Sequence, residues 1–228
     1  MVLNQSIETK YFSVFYDMAD DNIIGQIVTL IDDTYDHVVT QFQLKADDQK
    51  FRFQLCPDRE TYKHLTGKSD EEYEDWMVGN ANYENKTLCI LSPNIVNDRS
   101  FEDMLSVVKH EIVHIAFDQL QNADEADIMI AEGIAVACAG QIDINELDDQ
   151  NYPDAGKLSD EQYFYENQGY LYSGIYVWYL LKQIGIDRFK RIYAGEESIE
   201  NYLYEGFEKE AVQSLLRHPE PASEMKER

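Results

Sequence analysis

An α+β fold is predicted for this chain from three observations. Short stretches of strand-like alternation, separated by helical ones, occupy the first hundred residues. After Ser92-Pro93 the apolar period becomes that of helices and stays so. Hydrophobic residues at 44% and charged residues at 28%, with 16 tyrosines and 10 phenylalanines, are the balance of a chain that buries an aromatic-rich core. The 228 residues suit one domain or two small lobes. We expect a single domain with a mixed α/β lobe over 1–100, a helical lobe over 101–216 and a disordered tail over 217–228.

Each element has its own signal. KYFSVFYD (10–17) reads as a strand, and in the segment after it Ile23, Ile27, Leu30, Ile31, Tyr35 and Val38 stand at helical spacing. FRFQLCP (51–57) alternates like a strand stopped by proline, RETYKHL reads as a short helix, and TLCILSP (87–93) is apolar enough for an inner strand. Between them, the polar stretch with glycines at 67 and 79 predicts a loop leading to an exposed edge strand around Trp76 to Tyr83. Ser100 and Asp103 form a capping box for a helix whose core stripe is Leu105, Val108, Ile112 and Ile115. A second helix is expected from about Ala123 to Cys138, ending near Gly140, and a third from Ser159, boxed by Gln162, to Ile184 before Gly185. Shorter helices follow, then a frayed RHPEPASEMKER.

Charge and cysteine usage exclude whole classes. A formal net charge of −25 repels phosphate backbones and anionic headgroups, so nucleic acid is not an expected partner, and the excess reads as a solvated acidic surface. No stretch approaches the roughly 18 apolar residues of a membrane span, and the start lacks a basic segment followed by an apolar run. A cytoplasmic location is expected on that basis, although trimming of a leader leaves the same sequence. Cys56, Cys89 and Cys138 are odd in number and widely spaced, which reads as reduced, buried small hydrophobes.

The chemistry is concentrated in KHEIVHIAF (109–117). On a helix, residues i and i+4 lie about 5–6 Å apart on one face, so His110 and His114 can converge on one cation with Glu111 beside them. With 5 histidines and 44 acids in the chain, chance supplies roughly 0.02 matches to His-acid-x-x-His. The bland alternative is a core helix carrying two hydrogen-bonded imidazoles. A catalytic zinc needs three protein ligands and an open position. Phe117 and Leu120 stand where a metzincin needs glycine and histidine, which excludes that class. Instead Glu132 is the lone acid in the apolar run DIMIAEGIAVACAG after Asp127, where a buried carboxylate is costly unless a cation satisfies it. Asp118, Asp124 and Asp127, in the polar connection, remain alternatives, as does an exposed helix position for Glu132.

HEIVH followed eighteen residues after its second histidine by Ala131-Glu132-Gly133 resembles the gluzincin metallopeptidases, and more closely the small bacterial peptidase-MA-like proteins. KYFSVFYD, FRFQLCPDRETYKHLTG, WMVGNANY before TLCILSP, and GYLYSGIYVWYLLKQIG look like successive blocks of that family, together covering about residues 8–195. The resemblance implies a zincin-like fold: a small mixed sheet with helices, an active-site helix, and a helical C-terminal lobe closing one side of a cleft. It implies one zinc ion on His110, His114 and Glu132, with Glu111 as general base for peptide hydrolysis by metal-activated water. Tyr170 in GYLYSG matches the family's oxyanion-stabilising tyrosine, with Tyr172 as rival. A peptide or protein substrate would pair with the edge strand at Gly79, Asn80 and Ala81. Two departures stand out. Val136 occupies the place of an acid that supports a zinc histidine in the thermolysin branch, so that support must come from elsewhere. Tyr83-Glu84-Asn85 echoes the aminopeptidase Gly-x-x-Glu-Asn element but has Ala81 for its glycine, and ENK reads as a turn. A silent zincin-fold binding module and a regulator cleaving one protein partner are the other functional readings. Oligomeric state is open.

Overall fold

The strand-like alternation of the first hundred residues becomes a five-stranded mixed sheet of order β1-β2-β3-β5-β4. A computed structural model describes residues 3–121, 125–148 and 150–217. Its contacts group the chain into two units, Met1–Ala116 and Phe117–Arg228.

In the first unit, β1 (Gln5–Glu8) runs antiparallel to β2 (Phe12–Tyr16). The sequence showed no pattern for β1, because only one edge of this short, half-exposed strand is paired. Helix α1 (Ile24–Gln41) then crosses to β3 (Phe51–Cys56), which lies parallel to β2. The expected stripe forms its buried face, with Leu30 half-buried at the margin. Tyr35 packs its ring 5.3 Å from that of Phe51 and 6.0 Å from that of Phe12. Asp32 fastens the helix to the β1–β2 connection by accepting from Thr9 Oγ1 and from the backbone N–H groups of Lys10 and Tyr11, at 2.8, 2.9 and 3.1 Å.

Helix α2 (Arg59–Thr66) begins at Asp58, whose carboxylate accepts from Thr61 N–H at 2.7 Å, and ends at Gly67, whose φ of 73° suits a residue without Cβ. The hairpin of β4 (Gly79–Asn82) and β5 (Thr87–Leu91) completes the sheet, with β5 parallel to β3 and β4 at the edge. Glu84 lies in the turn of that hairpin, as the turn reading of ENK expected. Helix α3 (Phe101–Phe117) starts with the capping box, Asp103 N–H donating to Ser100 Oγ and Ser100 N–H to Asp103 Oδ2, each at 3.0 Å. Val108, Ile112 and Ile115 are buried as expected. Leu105 is only half-buried, and Met104 and Val107 join the stripe in its place.

Three helix boundaries in the second unit differ from the sequence reading. Helix α4 (Ile128–Ala139) begins only after Asp127, whose side chain accepts from Met129 and Ile130 N–H; the expected start at Ala123 falls outside the described residues. Gly140 ends it with φ 73°. The third predicted helix is two: α5 (Glu161–Glu166) and α6 (Gly169–Ile184). Asp160 caps α5 by accepting from Tyr163 N–H at 2.9 Å, so Ser159 and Gln162 do not form the box. The chain breaks because Gln168 takes a left-handed φ of 51°, which folds Gly169 against Phe164 so closely that a Cβ would lie 2.3 Å from the ring. Helices α7 (Ile186–Tyr193) and α8 (Phe207–Arg217) follow. Arg217, the first residue of the predicted tail, closes α8, and the rest of that tail lies outside the described residues. Phe207 gathers Tyr176, Tyr179 and Tyr204 at 5.5–5.8 Å between ring centres, so much of the aromatic content is core.

Cys56 and Cys89 are buried, Cys138 is half-buried, and all three are free thiols. Among the described residues no helix is long and apolar enough to cross a membrane.

A buried acid makes the first unit sensitive to pH. Asp20 is 1% exposed; its Oδ1 accepts from Ser92 Oγ and, at 2.9 Å, from Asn94 Nδ2, while Oδ2 has no partner among the described residues. Burial pushes its pKa above the usual carboxylate range against the pull of those two bonds. The folded state therefore holds this proton more tightly than the unfolded chain. Its contribution to stability is full below the unfolded pKa and lost as pH rises through the folded one. Asp20→Asn removes the titration, so the wild type should gain stability relative to the variant as pH falls from 7 to 4. Melting curves of both proteins across that range test this, and a pH-independent difference refutes it.

Candidate metal centre

Helix α3 carries His110 and His114 one turn apart on one face, 9% and 5% exposed. Their Nε2 atoms are 3.0 Å apart, and the rings meet edge to face with centres 4.7 Å apart. Glu132 stands in the second turn of α4, half-buried. One ligand atom from each of the three residues lies within 4.8 Å of the others. Two imidazole nitrogens and a carboxylate oxygen form a donor set that suits zinc, and a tetrahedral ion with ordinary Zn–N bonds holds its nitrogens about 3.3 Å apart. The residues present fit the ion. Both readings of the sequence hold for α3: it buries its apolar residues, and its two histidines stand together on one face.

Glu132 is held by the packing of its own helix. A Cβ on its neighbour Gly133 would lie 2.6 Å from the Ser173 carbonyl oxygen and 2.5 Å from Val177 Cγ2 of α6. One on Gly174 would lie 2.5 Å from Val136 Cγ1. The two glycines let α4 and α6 approach closely. Val136, standing where a supporting acid was sought, is a packing residue in that crossing.

The other candidate ligands separate by role. Asp127 caps α4, Asp124 lies outside the described residues, and neither Asp118 nor Asp127 belongs to the three-residue group.

Two tyrosines accompany Glu132 within the second unit. Tyr170, 40% exposed on the first turn of α6, sits 6.3 Å between ring centres from Tyr165, and the two share a side-chain hydrogen bond. Burial raises the Tyr165 phenol above its ordinary pKa; the bond with Tyr170 opposes this, and the negative charge of Glu132 adds to it. The pairing of Tyr165 with Tyr170 was not legible in the sequence, since it depends on the break between α5 and α6. The rival, Tyr172, is 2% exposed and spends its hydroxyl on the backbone of Asp148, donating to O at 3.0 Å and accepting from N at 3.2 Å.

Glu111 lies against β4. A Cβ on Gly79 would fall 2.7 Å from Glu111 Oε1 and 3.1 Å from its Cγ. The strand's backbone groups divide by register. Leu91 N–H donates to the Val78 carbonyl at 2.8 Å, which makes Val78–Leu91 a hydrogen-bonded pair and Asn80–Cys89 the next. Asn80 therefore spends its backbone groups on β5, while Gly79 and Ala81 turn theirs to the open edge. The Gly79 carbonyl is already taken by the hydroxyl of buried Tyr62, at 2.7 Å. Burial, then the nearby Glu111 charge, raises the Tyr62 phenol, which keeps it a protonated donor. In RETYKHL this tyrosine reads only as the apolar face of a short helix.

No protein-family model matches the chain, and neither the curated proteins nor the solved structures yield a match. The class follows from fold and site alone: an α+β protein with a zincin-like His-His-Glu candidate metal site.

Proposed function

We propose that the protein is a zinc-dependent metallopeptidase of gluzincin type. The observation that supports this best is the convergence of His110, His114 and Glu132, with the acid between the two histidines in sequence, Glu111, lying against an open strand edge. Bound there, zinc supplies a Lewis acid that polarises a peptide carbonyl and lowers the pKa of water. Glu111 takes a proton from the attacking water and delivers it to the departing amine. Tyr170, paired with Tyr165, donates to the carbonyl oxygen as negative charge develops on it. An extended substrate pairs with the outward groups of β4, namely the Gly79 N–H and the N–H and C=O of Ala81, while Asn80 offers its side chain. A net charge of −25 favours cationic over acidic peptides.

The test is metal content and turnover together. The purified protein should carry one zinc per chain and cleave members of an internally quenched peptide library. Chelation should end cleavage, and zinc should restore it. Zinc at about a thousand times its dissociation constant adds about 4 kcal/mol to folding, a rise in melting temperature of about 10 °C over the chelated protein. Glu132→Ala should lose most of that rise. A protein that stays metal-free in micromolar zinc refutes the proposal, as does cleavage that persists after chelation. Zinc binding with no turnover across the library assigns the fold to a binding module instead.

A further inference from the structure

We propose that Gly79 is a positioning residue for Glu111, an inference that rests on the reading of Glu111 as general base. Glycine weakens a strand, because it gives up more backbone freedom on folding and packs no side chain. Gly79 has no left-handed φ to explain its presence: the positive-φ glycines are 67, 140, 185, 195 and 206. What it provides is space. The position a Cβ would occupy is 2.7 Å from Glu111 Oε1, 3.1 Å from Glu111 Cγ and 3.0 Å from Val107 Cγ1, distances at which a neighbour must shift. The Glu111 carboxylate thus fills the hollow left by the missing side chain.

The strand, for its part, is held on two sides. Along the sheet, β4 is registered on β5. At the open edge, the Tyr62 hydroxyl donates to the Gly79 carbonyl at 2.7 Å, and Tyr62 is fully buried on α2. Gly79 is therefore fixed at the residue that touches Glu111. Any side chain there has to push the carboxylate aside, because the nearest atom is the far end of the Glu111 side chain, whereas Gly79 belongs to the backbone of a paired strand. A displacement of about 1 Å in a reacting group costs about 100-fold in rate.

Two measurements test this. In the zinc-loaded protein, Gly79→Ala should lower kcat about 100-fold, with KM within threefold and zinc stoichiometry unchanged. In the metal-free protein, Gly79→Ala should lower the melting temperature of the wild type by about 5 °C and that of Glu111→Ala by clearly less, since only the Val107 contact remains there. An unchanged kcat overturns the proposal, and so does an equal melting shift in both backgrounds. If the wild type cleaves no peptide, the peptidase reading has failed. The melting cycle then decides by itself whether Gly79 places Glu111.

Discussion

Glu111→Gln is expected to keep one zinc per chain and to lose peptide cleavage by about 1,000-fold or more. Glutamine has the size of glutamate and still fits beside Gly79, so the two histidines and Glu132 are undisturbed. It cannot accept a proton, and positioned general acid–base groups account for about 100- to 10,000-fold in rate. The comparison with Glu132→Ala is informative because the two acids are assigned different work: loss of one removes the ion, and loss of the other removes proton transfer. Metal analysis beside single-turnover cleavage separates them. Cleavage by Glu111→Gln at more than a tenth of the wild-type rate is incompatible with its role as general base.

Gly133→Ala should destabilise the protein by about 3 kcal/mol, a fall in melting temperature of about 9 °C, and weaken zinc binding with it. Val177 can rotate away from a methyl group at 133, but the Ser173 carbonyl belongs to the backbone of α6 and cannot, so α4 must move. The gain in helix propensity from glycine to alanine, about 1 kcal/mol, does not offset an overlap of this depth. Because Glu132 is the preceding residue, a shift of α4 shifts a member of the candidate metal group. Melting curves and zinc titrations of Gly133→Ala measure both effects. A variant as stable as the wild type shows that the helices can separate freely.

Much of the site was legible because its signals are local. His110, Glu111 and His114 sit on one helix, where a spacing of four residues places two imidazoles together by geometry alone. Glu132 was legible for a different reason, as a carboxylate in apolar company that calls for a partner. The edge strand was visible through its polar, glycine-bearing approach. Less legible was everything that depends on where one segment lies against another. Leu105 matched the period of α3 but is half-buried, since burial depends on what covers the helix. The single helix expected over 159–184 failed at Gln168, where packing of Gly169 on Phe164 outweighed a continuous helical pattern.

The sequence by itself determined the chemistry that the chain can offer: the ligand types, the acid beside them, and the alternation that makes strands first and helices afterwards. These follow from residue identity and from periods of two and 3.6 residues, which need no knowledge of distant neighbours. Tertiary structure decided which of those groups meet. It grouped Glu132 rather than Asp127 with the two histidines, the latter serving as a helix cap, and it buried Tyr172 against Asp148 while leaving Tyr170 partly exposed. It also set Glu111 in the hollow at Gly79, beside a carbonyl that Tyr62 has already claimed. Those choices depend on distances of a few ångströms between residues far apart in the chain, and close packing of the folded chain sets them.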